Sequence, residues 1–207
     1  MIFLVFFACS KDENVVLLPQ SGIMNPGFEY GDLSGWTYEG DTRVISSLDT
    51  IYPVEGRYMA LLSTGLDTEH YHGSLSQTFT VKEEYSFLVF RWNILFEELQ
   101  EHIEHQPQAY FRVTFTRENG SEQMLLFRNA AIISHEAGAL AHFPGSLMPF
   151  SNEIFNNGYL TGWKDLVFNI SQYQGEKVTI GFEAMGIGVE NYRIAVLLDG
   201  VDLTFFD

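Results

Sequence analysis

Cysteine and basic residues are scarce in this sequence, and each scarcity argues against a class of protein. Only one of the 207 residues is a cysteine, Cys9, so no internal disulfide can form. A chain of this length buries about 70% of the surface that its unfolded form exposes, so it can fold without one. Lys and Arg number 11 against 27 Asp and Glu, which gives a formal net charge of -16. That charge repels phosphate groups and argues against nucleic acid or an anionic membrane surface as a partner.

Motifs of enzyme chemistry are also missing. The chain has neither a Gly-x-Ser-x-Gly nucleophile turn nor a glycine-rich loop that would cradle a phosphate. Glycosidase chemistry needs two carboxyl groups at a defined separation, which adjacent acids do not establish. Glu98 and His102 share a helical spacing that could begin a zinc site, but no third ligand follows at a recognised spacing. The six histidines form three local pairs: His70/His72, His102/His105 and His135/His142. The sequence therefore predicts a protein that is not an enzyme.

Long apolar runs are absent too, and the longest one opens the chain. Residues 1–8 (MIFLVFFA) lead directly to Cys9. This run is too short to cross a bilayer, which takes about 20 residues in a helix. It is typical of the apolar region of a signal peptide, without the basic region that normally comes first. We therefore expect residues 1–9 to be the last part of a signal peptide, and we expect the true start of the gene to lie upstream of Met1.

The residues around Cys9 resemble a lipobox. Phe6-Phe7-Ala8-Cys9 is similar to the cleavage site of bacterial lipoproteins, and Ser10-Lys11-Asp12-Glu13 resembles the start of mature surface lipoproteins of the Bacteroidota. The resemblance implies cleavage before Cys9, its acylation with fatty acids such as palmitate, and display at the outer membrane or cell surface. The alternative is an ordinary buried cysteine. Residues 10–22 are predicted to be a mobile tether and residues 23–207 one folded domain.

Alternation of apolar and polar residues dominates the rest of the chain. The segment Phe111–Thr116 alternates, Glu118-Asn119-Gly120 is typical of a turn, and Gln123–Phe127 returns, which predicts a hairpin over 109–127. Further alternating segments cover 58–62, 75–81 and 178–182, whereas 86–95 and 194–206 are more continuously apolar, as in strands covered on both faces. The pattern predicts an all-β sandwich of about ten strands.

Two segments depart from the strand pattern. Phe96–His105 (FEELQEHIEH) has apolar residues at helical spacing and predicts one short helix or a structured loop that ends by Pro107. Residues 129–162 are rich in small residues, Gly, Pro and Asn, and predict a long loop with one turn of helix at most.

Several short motifs together resemble a known family. Asn25-Pro26-Gly27-Phe28-Glu29 with Gly35-Trp36 is similar to the opening of galactose-binding-like jelly rolls, which include carbohydrate-binding modules. Three later segments follow in the order of that family: Ser74–Val81 (SLSQTFTV), Thr161-Gly162-Trp163 and Leu197–Val201 (LLDGV). The resemblance spans residues 23–205. It implies a jelly-roll β-sandwich that binds carbohydrate without catalysis.

The same resemblance implies a structural calcium ion between the first and last strands. The matching carboxylates are Glu29, Glu55 and Asp199, with Asp202 as an alternative to the last. Calcium takes six to eight oxygen ligands, so backbone carbonyls are also expected, from Asn25 and Tyr58. The alternative is that these acids are solvated turn residues.

Aromatic residues supply the candidates for sugar binding, because a flat ring can stack on the apolar face of a sugar. The tryptophans Trp36, Trp92 and Trp163 are expected in the core. Five tyrosines lie nearer to predicted loops and are the candidate ligand-binding residues: Tyr52, Tyr71, Tyr110, Tyr159 and Tyr192. The sequence thus predicts a surface-anchored carbohydrate-binding module. A structural or adhesin-like domain that binds a cell-surface protein is the alternative, and an exposed apolar or edge-strand patch would favour it.

Overall fold

The computed structural model describes residues 22–64, 71–96, 109–133, 148–150, 158–186 and 193–205, and these residues form twelve strands and a 3-10 helix at Ser171–Tyr173. The strands are β1 (Thr37–Gly40), β2 (Thr42–Ile45), β3 (Met59–Ser63), β4 (His72–Thr80), β5 (Phe87–Phe96), β6 (Tyr110–Arg117), β7 (Glu122–Asn129), β8 (Met148–Phe150), β9 (Gly158–Leu160), β10 (Lys164–Asn169), β11 (Lys177–Met185) and β12 (Ile194–Thr204). Within these ranges we find no helix that is long and apolar enough to span a membrane.

The strands form two antiparallel sheets. The five-stranded sheet has the order β1-β4-β11-β6-β7, and the seven-stranded sheet has the order β2-β3-β12-β5-β9-β8, with β10 also paired to β5. Most neighbours in each sheet come from distant parts of the sequence, as in a jelly-roll β-sandwich; β2–β3, β6–β7 and β8–β9 are the consecutive pairs. The predicted fold class is confirmed. The short strands β8 and β9 lie in the segment predicted as a long loop, and residues 130–133 are its turn of helix.

The predicted hairpin is formed by β6 and β7. Their register pairs Thr116 with Glu122 and Arg112 with Phe127, with a bulge beside Val113. The turn contains Gly120 at φ 82°, a left-handed conformation that favours glycine. Alternate residues of β6 are buried, as the sequence pattern requires.

The main core lies between the two sheets and is rich in aromatic rings. Phe28 and Trp36 pack with ring centroids 5.6 Å apart, and Phe182 meets Phe90 edge to face at 5.1 Å. Trp36 and Trp92 are both buried, as the sequence predicts. Buried rings of this size supply much of the hydrophobic free energy of folding.

A second apolar cluster covers the outer side of the seven-stranded sheet. Leu61, Leu95 and Leu197 project there from three adjacent strands, and Ile51 packs on them from the preceding loop. Trp163 lies against the same cluster and donates its indole N–H to the backbone oxygen of Tyr52, at 3.1 Å. Because this second layer covers the outer face of the sheet, β5 and β12 are covered on both faces. This explains why their sequences are almost continuously apolar.

Several predictions made from the sequence lie outside the described residues. These are the signal peptide with Cys9, all but the last residue of the tether, residues 97–105 of the predicted helix, Tyr192, and every histidine except His72. One correction concerns Phe96, predicted as the first residue of that helix. Phe96 instead ends β5, because it pairs with Tyr159 and Ile194 and its ring is buried in the core.

Candidate binding site

The outer face of the five-stranded sheet carries polar and aromatic side chains in register. Successive strand residues point to opposite sides, so the residues that alternate with the buried ones face solvent. We call this surface the five-stranded face. It comprises His72, Ser74, Ser76 and Thr78 of β4, Thr179, Gly181, Glu183 and Met185 of β11, Tyr110, Arg112, Thr114 and Thr116 of β6, and Phe127 of β7.

An aromatic pair and an ion pair lie together at one end of this face. The rings of Tyr110 and Phe127 are 5.4 Å apart at an interplanar angle of 30°. Arg112 Nη2 lies 2.7 Å from Glu183 Oε2, and the Tyr110 hydroxyl donates to that same oxygen at 3.4 Å. Partial burial, and then the charge of Glu183, raise the pKa of Tyr110, so its hydroxyl remains a hydrogen-bond donor.

The centre of the face carries small residues that pack closely together. Gly181 is flanked in register by Ser76 and Thr114, and a Cβ added at Gly181 would lie 2.9 Å from Thr114 Oγ1. Below it, the hydroxyls of Thr78 and Thr179 are hydrogen-bonded at 2.7 Å. The close approach of Thr114 accounts for a glycine at this strand position. Beside the rings the face therefore presents mainly small, hydroxyl-bearing side chains.

One donor on this face has no acceptor within the described part of the chain. Arg112 Nε is buried and meets no hydrogen-bond partner there, although the far end of the guanidinium is paired with Glu183. Buried donors in folded proteins are nearly always satisfied by protein, water or ligand. A ligand would reach Arg112 through the exposed end of the guanidinium rather than through the buried Nε.

The predicted tyrosines do not all come together. Tyr110 lies on the five-stranded face. The backbone of Tyr71 is at the same end of that sheet, since its carbonyl accepts the Gly186 N–H at 2.7 Å, next to Met185. Tyr52 is 65% exposed in the loop that covers the other sheet. Tyr159 stacks on Phe96 at 6.0 Å, against the main core.

Sequence reasoning missed three residues of the face: Arg112, Glu183 and Phe127. Each is the polar or outward member of an alternating strand, but so are many residues that bind nothing. Their proximity depends on the pairing of β6 with both β11 and β7. The sequence signals only the hairpin itself; the bulge between Val113 and Thr114 shifts the register, so the turn does not fix Phe127 as the partner of Arg112.

The predicted calcium ligands converge around one turn, residues 54–58. Asp199 is fully buried, and its Oδ2 accepts the backbone N–H groups of Val54 at 2.7 Å and Glu55 at 3.1 Å. The carboxylate of Glu29 accepts the N–H groups of Arg57 and Tyr58, each at 3.0 Å. Two carboxylates, from the beginning and the end of the fold, thus hold the same turn.

The other residues of this cluster complete its hydrogen bonds. The backbone oxygen of Asn25 accepts the Trp36 indole N–H at 3.2 Å, and Asn25 Oδ1 accepts the Tyr30 N–H. Glu55 lies 3.1 Å from the Arg91 guanidinium. Within the described part of the chain, Asp202, the alternative ligand, accepts one hydrogen bond, from the N–H of its neighbour Leu203 at 2.7 Å.

The electrostatics of the cluster are those of a buried carboxylate close to another acid. Burial raises the pKa of Asp199, the N–H groups of Glu55, Val54 and Gly200 lower it in part, and the charge of Glu55 raises it again. A divalent cation would neutralise this charge, so the hard-oxygen donors suit calcium chemically. In the described ranges no three Asp, Glu, His or Cys side chains group closely enough to hold a metal alone, so carbonyl oxygens would have to complete the site.

A small groove lies on the outer side of the seven-stranded sheet. It has a volume of about 360 Å³ and is lined by β5 and β10, with Val89 and Val167 side by side and Arg91 paired to Asp165. Val167 is half exposed. The groove is the apolar feature most relevant to the alternative of protein binding.

Comparisons with known proteins concern the fold. Protein-family models and curated protein sequences gave no match to the chain. The structure of TmCBM61 in complex with β-1,4-galactotriose has a TM-score of 0.47 and 14% identity, covering 91% of this chain and 99% of that one. CBM28, a carbohydrate-binding module specific for non-crystalline cellulose, has a TM-score of 0.46 and 11% identity, covering 88% and 94%. The K1 adhesin domain of Lys-gingipain from Porphyromonas gingivalis W83 has a TM-score of 0.44 and 10% identity, covering 87% and 96%. Such values assign no ligand here, and the jelly-roll assignment rests on the strand order described above.

Proposed function

We propose that this domain is a non-catalytic binding module for carbohydrate and that the five-stranded face is its binding surface. The observation that carries the proposal is the Tyr110–Phe127 ring pair beside the Arg112–Glu183 ion pair, next to a row of hydroxyl-bearing side chains. A sugar ring presents apolar C–H groups to an aromatic ring and hydroxyls that both donate and accept hydrogen bonds. The face offers each of these partners within a few strand spacings.

A protein-binding role is the second candidate, and a different surface favours it. A structural or adhesin-like domain would use exposed apolar side chains, such as those of the groove at Val89 and Val167. The five-stranded face is mostly hydroxyl-bearing and charged, which suits a polar ligand better. A protein partner on the groove is therefore expected only if the polysaccharide experiment fails.

Calcium belongs to the same proposal as a structural cation. Glu29, Glu55 and Asp199, with carbonyl oxygens from Asn25 and Tyr58, would supply its ligands at the turn 54–58. When bound, the ion would offset the repulsion between Asp199 and Glu55 and fasten the first part of the fold to the last strand. Its role would be to stabilise the domain rather than to touch the sugar, because the cluster contains no residue of the five-stranded face.

Binding to a panel of polysaccharides tests this function. We expect the chain carrying Cys9→Ser to bind at least one polysaccharide saturably, measured by affinity electrophoresis and calorimetry. In the presence of calcium the thermal midpoint of unfolding should rise, and chelator should reverse the rise. A ligand that binds the native state adds about 2.7 kcal/mol of stability when its free concentration is 100 times its dissociation constant. Absence of binding with calcium and with chelator alike would contradict the carbohydrate proposal, and an unchanged midpoint would contradict the calcium proposal.

The lipid anchor is proposed from the lipobox resemblance alone. We expect a bacterial host to attach fatty acid to Cys9 and to display the domain at its outer surface, so that the membrane is reached only through the anchor. When the chain is expressed with the upstream residues that complete the signal peptide, labelling with a palmitate analogue should mark the wild-type chain and not the Cys9→Ser chain. Equal labelling of both, or of neither, would contradict the proposal.

A further inference from the structure

One ion pair determines the charge that a ligand meets beside the rings. Arg112 is placed on the five-stranded face by the alternation of β6, and its guanidinium lies 2.7 Å from Glu183. The Glu183 side chain is only 23% exposed, and the same oxygen also accepts the Tyr110 hydroxyl. A partly buried pair is screened less by salt than a surface pair, so Glu183 largely cancels the positive charge of Arg112 there.

The remaining charges around the face are mainly negative. Glu39 extends the row of Ser74 and Glu183 on the edge strand β1, and Glu122 pairs with Thr116 on the opposite edge. Both are exposed. Lys177 is at the far end of β11, paired with Thr80, away from the rings. The chain as a whole carries a net charge of -16. Among the described residues, the basic side chains of the five-stranded face are Arg112, already paired with Glu183, and His72, in register with Met185 and Tyr110. A carboxylate brought to the ring pair would therefore meet mainly negative charge.

We infer that the five-stranded face selects uncharged glycans over uronic-acid polymers, and that Glu183 is the residue that sets this preference. The inference rests on the proposed carbohydrate function. A neutral sugar can donate a hydroxyl to Glu183 and accept from Arg112 without separating the pair. A uronate that accepts a hydrogen bond from Arg112 is held close to the Glu183 carboxylate. Like charges held close in an interface weaken binding substantially.

Polymers that differ only in charge provide the test. Each neutral polysaccharide that binds is compared with the same polymer partly oxidised at C6, which converts primary alcohols to carboxylates on an unchanged backbone. We expect the full chain carrying Cys9→Ser to bind the oxidised form about tenfold more weakly. The deficit should shrink when sodium chloride is raised to about 0.5 M, because salt screens the repulsion.

A variant without the charge of Glu183 tests whether this residue sets the preference for uncharged glycans. Glu183→Gln keeps the shape of the side chain and frees the charge of Arg112, so the oxidised polymer should regain most of its affinity. Glu122→Gln is the matched control, since it removes the same charge from an exposed edge position away from Arg112, and it should leave the deficit nearly unchanged. Circular dichroism and the thermal midpoint confirm that both variants are folded.

Each outcome is decisive for the inference. Equal or tighter binding of the oxidised polymer by the wild-type chain would overturn it while supporting the carbohydrate function. A deficit that responds neither to salt nor to Glu183→Gln would show that the lost C6 hydroxyl matters instead of the charge, and would also overturn it. If no polymer binds in either form, the proposed function fails and the inference fails with it.

Discussion

Replacing Asp199 with alanine is expected to lower the free energy of unfolding by about 2–4 kcal/mol, because a buried carboxylate that holds three backbone donors is lost. In the wild-type chain Asp199 accepts the N–H groups of Val54, Glu55 and Gly200, at 2.7, 3.1 and 2.8 Å. Glu29 and the Glu55–Arg91 ion pair would then remain to hold the turn 54–58. Urea denaturation followed by the fluorescence of the buried Trp36 and Trp92 measures the change.

The control for this variant lies three residues along the same strand. Asp202→Ala also removes a carboxylate from β12. Within the described residues that carboxylate accepts a single hydrogen bond, from the N–H of Leu203. We expect it to cost about 1 kcal/mol or less. If Asp199→Ala costs no more than Asp202→Ala, Asp199 does not fasten the turn. A calcium response that persists in Asp199→Ala would remove Asp199 from the proposed ligands.

The elements that the sequence predicts well are those whose partners are close in the chain. The β6–β7 hairpin is specified by alternation and by the turn at Gly120, whose φ of 82° suits glycine. Phe28 and Trp36 enter the core because the turns before them, at Asn25 and Gly35, have positive φ values of 49° and 87°. Such features depend on local backbone geometry, which is determined by residues close together in the sequence.

Features that depend on pairing between distant strands could not be predicted in the same way. The strand β9 pairs with the end of β5, so Tyr159 packs on Phe96 although its surroundings in the sequence resemble a loop. Phe96 itself satisfies a helical spacing, yet the tertiary pairing places it in a strand. A short apolar pattern is compatible with either element, and burial between distant partners decides which one forms.

For the same reason, only part of the candidate site could be predicted from the sequence. The convergence of Glu29, Glu55 and Asp199 around one turn could be predicted, because motif resemblance supplied a correspondence between distant positions. Arg112 and Glu183 belong to no motif. They meet because β11 lies between β4 and β6, a sheet order that no local pattern states. The ion pair that we propose as the determinant of ligand charge is therefore visible only in the structure.

Replacing Tyr110 with alanine is expected to weaken polysaccharide binding by about tenfold or more, since aromatic anchors carry much of the binding energy in sites of this kind. The variant removes the stacking ring, leaves Phe127 without its neighbour at 5.4 Å, and removes the hydroxyl that donates to Glu183. Tyr110→Phe keeps the ring and loses only the hydroxyl, so it should retain most of the affinity. Calorimetric titration with a polysaccharide that binds measures the affinity of the wild-type chain and of both variants.

A second tyrosine makes this a test of which side of the sandwich binds. Tyr52 is 65% exposed, but it lies in the loop over the seven-stranded sheet, with its backbone oxygen bound to Trp163. Tyr52→Ala should therefore leave the affinity unchanged if the five-stranded face is the binding surface. Loss of binding in Tyr52→Ala with full binding in Tyr110→Ala would move the site to the opposite side. It would also remove Arg112 and Glu183 from any role in selecting the ligand.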